Sequence, residues 1–284
     1  MKEFDKIYFG TAGIPIIAKG KGSVEGIKEV RRLGLDAFEF EFVHSVNVSK
    51  EKAIECKKAG DENKIYFSCH ASYYINLLSN EKEKVEASKK RIMDSARILE
   101  ACGGGFVVFH PGYYGKLEEK QAYEIMLENV SNIVDQAESE GLKNTIISPE
   151  TTGAMKEWGK LDDLLKLCKD LKLKTIPTYD WGHLHCRNGK PELNTEKDFE
   201  AIFEKIEAGL GKTALKKLHC HFEGIDWNKG GEYQHLPLTS NTLNYKALIK
   251  IMKKWDGKIA GTFISESPEI ENDALLFKKE FEKN

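Results

Sequence analysis

Phe106-Val107-Val108-Phe109-His110 decides the reading of this chain: four apolar residues that end in an imidazole, followed by Pro111-Gly112. The β-branched and aromatic run reads as a strand, and Pro-Gly reads as the turn that stops it. The same form recurs twice. Thr145-Ile146-Ile147-Ser148-Pro149 ends in Glu150, and Thr262-Phe263-Ile264-Ser265 ends in Glu266. A charged or imidazole side chain closing such a run carries a desolvation cost unless something compensates it.

Outward from these stretches one rhythm fills the chain. Strand-like runs lie at Lys6–Gly13, Ala37–Val43, Ile65–Ser72, Phe106–Gly112, Thr145–Thr152, Leu173–Trp181, Leu215–Phe222 and Gly261–Pro268. Between them lie Lys/Glu-rich stretches with helical spacing, at Ser23–Gly34, Ser49–Gly60, Asn80–Ala101, Glu118–Glu140, Leu161–Asp170, Thr195–Gly209, Leu243–Lys254 and Ile270–Lys283. Ser23 and Ser49 are good N-caps, and Gly34, Gly60, Gly141 and Gly209 stand where helices should stop. Parallel neighbours need crossover helices, so eight strand-helix units predict a parallel sheet, and eight is the number that closes a barrel. The fold class expected is α/β, a (β/α)₈ TIM barrel. With 284 residues against the roughly 250 such a barrel needs, and no Pro/Ser-rich linker, residues 1–284 are read as a single domain.

Composition excludes several classes. The chain is 40% hydrophobic and 31% charged, and no apolar run approaches the roughly 20 residues of a membrane span. Met1-Lys2-Glu3-Phe4-Asp5-Lys6 is charged and runs straight into a strand, so no secretory signal is expected and the compartment expected is cytoplasmic. The six cysteines are scattered with no C-x-x-C pair, which argues against a zinc-thiolate site. Forty-three basic against 45 acidic residues leave a net charge of −2, with no global footprint for nucleic acid. Gly103-Gly104-Gly105 precedes a strand instead of following one, so it reads as a helix stop and not a phosphate loop.

Polar residues placed on this frame form a pattern. His70 ends the third run, His110 the fourth and Glu150 the fifth. Asp180 and His183 follow the sixth, His219 and His221 lie on the seventh, His235 comes after it and Glu266 ends the eighth. In a (β/α)₈ barrel the C-terminal strand ends converge on one mouth, so these residues would surround one point. Imidazoles with carboxylates and no thiolate suit zinc, manganese or iron, whereas magnesium prefers oxygen alone. The ligands are too many for one tetrahedral zinc, and two or three ions about 3.5–4 Å apart would use them, a geometry suited to phosphoester displacement.

The motifs resemble those of the endonuclease IV family of abasic-site DNA repair enzymes. His70-Ala-Ser-Tyr-Tyr-Ile-Asn-Leu77 is similar to its H-x-S-Y-x-I-N-L, and Phe109-His110-Pro111-Gly112 to its F-H-P-G. Pro149-Glu150-Thr151-Thr152-Gly153 resembles its glutamate loop, Asp180 and His183 match its D-x-x-H, and Glu266-Ser267-Pro268 resembles its last glutamate. The likeness runs in order from His70 to Glu266, about two thirds of the chain.

That resemblance implies a trinuclear zinc site, with manganese compatible with the same donors. His70, His110 and Glu150 would hold one ion, Glu150 bridging to a second completed by Asp180, His221 and Glu266. His183 and His235 would hold the third with one more residue. His221 aligns better than His219, which would support the site from behind. Tyr73 matches the family tyrosine that enters DNA at the lesion. The implied activity is hydrolysis of duplex DNA on the 5′ side of an abasic site, by a monomer, with Glu150 as the catalytic carboxylate.

Three positions depart from the family. Its D-x-H after the seventh strand is replaced by Glu232-Tyr-Gln-His235, which makes Glu232 a candidate for the third acid. The loop Val43-His44-Ser45-Val46-Asn47 lacks the basic, Trp-containing stretch used on DNA, and Gly10-Thr11-Ala12-Gly13 carries no histidine. A second reading follows, a divalent-metal sugar isomerase or epimerase, which would use Glu150, Asp180, His221 and Glu266 but would not require His70, His110, His183 and His235. A third, a metal-storing barrel without catalysis, fits less well with ligand sets that leave coordination open. Trp158, Trp181, Trp227 and Trp255 read as packing residues, and His44 and His185 receive no role.

Overall fold

The computed structural model describes residues 4–283. Met1, Lys2, Glu3 and Asn284 lie outside the described residues, and with them part of the charged N-terminal run. The strands are β1 (Ile7–Ala12), β2 (Ala37–Glu41), β3 (Tyr66–His70), β4 (Gly105–Phe109), β5 (Thr145–Pro149), β6 (Thr178–Asp180), β7 (Leu218–Phe222), β8 (Gly224–Asn228), β9 (Gly231–Leu236) and β10 (Gly261–Ser265). The helices are α1 (Ser23–Arg32), α2 (Lys50–Asn63), α3 (Lys82–Cys102), α4 (Glu119–Ser139), α5 (Leu161–Asp170), α6 (Trp181–Cys186), α7 (Glu196–Leu210), α8 (Lys212–Leu215), α9 (Tyr245–Lys254) and α10 (Glu271–Glu282). Each expected run overlaps a strand and each expected helical stretch overlaps a helix.

Eight strands make one sheet in the order β5-β4-β3-β2-β1-β10-β7-β6. Its two ends meet where Glu150 pairs in parallel with Thr178 and the Thr151 amide donates to the Thr178 carbonyl at 3.0 Å, the closure that a (β/α)₈ barrel needs. The other two strands, β8 and β9, form a separate antiparallel hairpin after β7.

The chain divides into two compact units. The first comprises residues 39–152 and 156–178. In it β3, β4 and β5 pair in parallel, with His70 opposite Val108 and Phe109 opposite Pro149. Helices α3 and α4 bury Ile92, Leu99, Met126, Val130 and Ile133, each at no exposure, and each such side chain contributes roughly 1.5–3 kcal/mol by leaving water. The second unit comprises the remaining described residues. There β10 pairs in parallel with β1 and with β7, and Phe277 of α10 packs on Phe222, Phe9 and Phe263 with ring centroids 4.2, 5.9 and 6.2 Å apart.

The caps correct the sequence in three places. Ser49 is an N-cap, its hydroxyl accepting from the Lys52 amide, but Ser23 is the first helical residue behind an N-cap at Gly22. Gly60 lies inside α2, because a Cβ there would sit 2.4 Å from the Phe67 ring; the helix runs on to a left-handed cap at Lys64. Helix α7 passes Gly209 and stops at Gly211, whose φ of 79° suits glycine. All six cysteines are free and buried, and no described helix is long and apolar enough to cross a membrane.

Two strands begin in the same strained way. Gly105 opens β4 with φ 148° and Gly261 opens β10 with φ 150°; a Cβ at either would lie 1.9 Å from a carbonyl oxygen, that of Phe67 or of Leu218. Only glycine lets the backbone of the neighbouring strand come so close. Gly105→Ala or Gly261→Ala should therefore destabilise the protein by at least about 2 kcal/mol in urea unfolding. A loss below about 0.5 kcal/mol, the size of an ordinary surface change, would show that the strand starts relax freely.

Candidate metal centre

In the first unit three neighbouring strands deliver three side chains. His70 is the last residue of β3, and His110 and Glu150 directly follow β4 and β5, so parallel register sets them side by side. The Glu150 amide donates to the Phe109 carbonyl at 3.1 Å, which fixes the backbone that carries the carboxylate. One carboxylate oxygen, Glu150 Oε2, lies 3.2 Å from His70 Nε2 and 3.2 Å from His110 Nε2. The two rings meet edge to face with centroids 5.5 Å apart.

The tautomer sharpens this. His70 Nδ1 lies 2.9 Å from the Ala71 carbonyl oxygen, which can only accept, so Nδ1 carries the proton. In the neutral ring Nε2 then presents a lone pair toward a fully buried carboxylate oxygen. Two acceptors at that distance repel unless a proton or a cation stands between them. The three side chains offer donor atoms that all lie within 4.8 Å of one another, the spacing of a metal site with nitrogen and oxygen ligands.

The second unit builds its group from β6, α6, β7, the hairpin and β10. Asp180 ends β6 and caps α6, its Oδ1 accepting from the His183 amide at 2.6 Å; the short helix exists where this cap turns the chain. His221, on β7, sets Nδ1 3.1 Å from Glu266 Oε1 and 4.0 Å from Asp180 Oδ2. His219 lies two residues earlier, and its Nδ1 is 2.7 Å from the Thr262 hydroxyl. His183 Nε2 lies 3.1 Å from Glu232 Oε2, and His235 Nε2 lies 3.4 Å from Glu232 Oε1. One carboxylate thus spans two imidazoles whose centroids are 5.6 Å apart.

Glu232 and His235 are three apart on a strand, where alternation would send them to opposite faces. The hairpin register shifts between Asp226 and Trp227: Asp226 faces Gln234 while Trp227 faces Glu232. Tyr233 is the extra residue of a bulge, 68% exposed, and the bulge resets the alternation so that both ligand-type side chains share a face.

Glu223, one residue past β7, is fully buried among this group. Burial pushes its carboxyl well above the ordinary range, the Asp180 charge adding to the effect while the His235 and His183 charges oppose it. Burial also opposes charge on Glu232, but the charges and hydrogen bonds of His183 and His235 prevail and hold its carboxyl far below the usual carboxylate range. His235 answers in kind: burial works against its charge, yet the Glu223 charge and the Glu232 hydrogen bond raise it to about 10. His183, Glu232 and His235 form one set of mutually close donors, and Glu223, His235 and Glu266 another. Cys186 lies nearby, but burial raises its thiol to about 12, so it brings no thiolate ligand.

Every histidine and carboxylate expected at a strand end is therefore found beside another such residue within its own unit. Tyr73 stands elsewhere, 51% exposed, its hydroxyl 2.9 Å from His44 Nδ1 and 3.0 Å from the Tyr74 hydroxyl, with Tyr74 also exposed. His44 thus has a partner the sequence did not suggest. Trp158, Trp181 and Trp255 are packing residues, at 0%, 0% and 5% exposure, and the Trp227 ring meets His185 edge to face. Glu223 was missed, although a glutamate just beyond an apolar strand is the same signal that marks Glu150 and Glu266.

Similarity to known proteins agrees with this architecture. Over 273 residues the chain is 41% identical to Uncharacterized protein MJ0133 of Methanocaldococcus jannaschii, covering 96% of each. It is 25% identical over 210 residues to Probable endonuclease 4 of Aquifex aeolicus, covering 68% of this chain and 70% of that one. Among solved structures it superposes on endonuclease IV from Thermus thermophilus with a TM-score of 0.72, at 18% identity over 95% of this chain and 97% of the other. A D-tagatose 3-epimerase-like protein gives 0.71, at 19% identity over 95% and 94%. These two likenesses at low identity speak for the shared fold alone. The family model of the xylose isomerase-like TIM barrel matches residues 27–282, and this chain, with its eight-stranded sheet, belongs to that family.

Proposed function

We propose that this protein is a zinc-dependent phosphodiesterase of the endonuclease IV type, which cleaves duplex DNA on the 5′ side of abasic sites. The observation that carries the reading is the second pair of imidazoles: His70 with His110 on one carboxylate, and His183 with His235 on another. An isomerase working with one or two ions has no use for so many nitrogen donors. The residues fit zinc in kind, since His70 Nε2 and Glu150 Oε2 form an acceptor pair that a cation reconciles.

In this reading His70, His110, Glu150, Asp180, His183, His221, His235 and Glu266 would hold two or three zinc ions, with Glu150 as the catalytic carboxylate and Glu232 in the place of the family's aspartate. Bound zinc supplies Lewis acidity toward phosphate and water. The protein's own groups do the placing. The Glu150 amide, donating to the Phe109 carbonyl, sets that carboxylate beside His70 and His110, and the Asp180 cap orients His183. Tyr73 and Tyr74, tilted against each other with centroids 4.3 Å apart and open to solvent, offer an aromatic face to an unstacked nucleotide. The same reading makes residues 1–284 one domain, acting as a cytoplasmic monomer.

The second reading is a divalent-metal sugar isomerase or epimerase. It is favoured by the net charge of −2 and by the loop His44-Ser45-Val46-Asn47, which carries no lysine or arginine for a phosphate backbone.

An abasic duplex should be nicked to a 3′ hydroxyl and a 5′ deoxyribose phosphate, and the rate should fall steeply with salt because phosphate contacts release counterions. Aldoses and ketoses with manganese or magnesium form the control panel. DNA left intact at low salt with zinc present, while a sugar is isomerised, would hand the function to the second reading. Glu150→Gln should cost at least about 10²-fold in kcat while the fold persists, and a fully active variant would remove Glu150 from the chemistry.

Chelation should lower the melting temperature, and zinc restored at about 100 times its Kd should return roughly 2.7 kcal/mol. A melting curve indifferent to both treatments would deny that these side chains hold an ion.

A further inference from the structure

Glu223 is the group that the sequence motifs leave unexplained. It follows β7 directly, is fully buried, and neither of its carboxylate oxygens has a hydrogen-bond partner among the described residues. Buried polar atoms in native proteins are almost always paired, so a carboxyl with both oxygens unsatisfied calls for a partner that is not a protein side chain. The surroundings are shaped around it. A Cβ at Gly182 would lie 1.8 Å from Glu223 Oε1 and 3.4 Å from Asp180 Oδ1, so the glycine of α6 keeps open the space this carboxylate occupies. Glu223, His235 and Glu266 each offer one donor atom, and these atoms lie within 4.8 Å of one another.

We propose that Glu223 is a metal ligand, holding a divalent cation together with His235 and Glu266. One nitrogen and two carboxylate oxygens suit zinc or manganese and leave coordination positions open. His235 also stands against Glu232, so the ring lies between two carboxylates, and Glu223 gives this centre an acid beyond the one that replaces the family's aspartate. The inference rests on reading these side chains as a metal centre; it does not depend on which substrate that centre serves.

The test is metal content, read without any activity assay. Apoprotein is titrated with zinc and its stoichiometry measured by elemental analysis, for the wild type, Glu223→Gln, Glu223→Asp and His235→Ala. Cobalt(II) replaces zinc in a parallel series to report the ligand field. Glu223→Gln should lose one equivalent, or bind it at least about tenfold more weakly, with an altered cobalt spectrum. His235→Ala should lose the same equivalent, and Glu223→Asp, which keeps the carboxylate, should recover part of it. Melting separates ligation from packing: the metal-free Glu223→Gln protein should be no less stable than metal-free wild type, while its gain on adding zinc shrinks.

A wild type that binds zinc, beside a Glu223→Gln protein with the same stoichiometry, affinity and cobalt spectrum, overturns this inference and leaves the zinc centre of the proposed function intact. A metal-free Glu223→Gln protein that is markedly less stable, with unchanged zinc binding, would make Glu223 a packing residue and overturn it too. A wild type that binds no zinc overturns both.

Discussion

A buried carboxylate cannot face imidazole lone pairs with nothing between them, and much of this molecule is arranged around that constraint. Glu150 shows it most simply, fully buried with two imidazole nitrogens 3.2 Å from one oxygen. An unscreened pair of this kind is costly in a low-dielectric interior unless a proton or a metal ion completes it. In the second unit the same tension is eased by protons: His235 rises to about 10 and Glu232 is held ionised beside it. Metal binding displaces such protons, so affinity for a cation and pH are linked in a site of this composition.

Rigid elements hold these groups in place. Three parallel strands in register set His70, His110 and Glu150 in a row, and an N-cap on a short helix aims His183. The hairpin uses a different device. Its bulge at Tyr233 turns residues of opposite strand faces into neighbours, so that Glu232 and His235, three apart, share a face.

Family membership does not decide the substrate, because one barrel hosts nucleases and epimerases alike. Fold similarity is nearly equal in the two directions, with TM-scores of 0.72 and 0.71. The donor inventory weighs toward phosphoester chemistry, and the near-neutral net charge and the plain loop after β2 weigh against a strong grip on DNA. The exposed Tyr73, Tyr74 and His44 form one hydrogen-bonded aromatic face.

Much of this was legible in the sequence, because strands buried in a barrel are short apolar runs and their ends are where polar residues begin. Phe106–Phe109 before His110 and Thr262–Ser265 before Glu266 mark both the strand and the polar residue at its end in one reading, and the order of motifs from His70 to Glu266 marks the family. Local signals were weaker. Gly60 looks like a helix stop, but its lack of a side chain serves the Phe67 ring instead, a contact that lies beyond any local window. The hairpin was invisible, since Gly224–Leu236 mixes polar and apolar residues without clean alternation, the bulge having broken the period that would reveal it. Sequence alone thus determined the barrel, its strand ends and the residue types offered there. Tertiary structure alone decided which carboxylate meets which imidazole, and that a glutamate the motifs pass over, Glu223, is sealed in with both oxygens unsatisfied, because partnership and burial arise only when distant segments pack together.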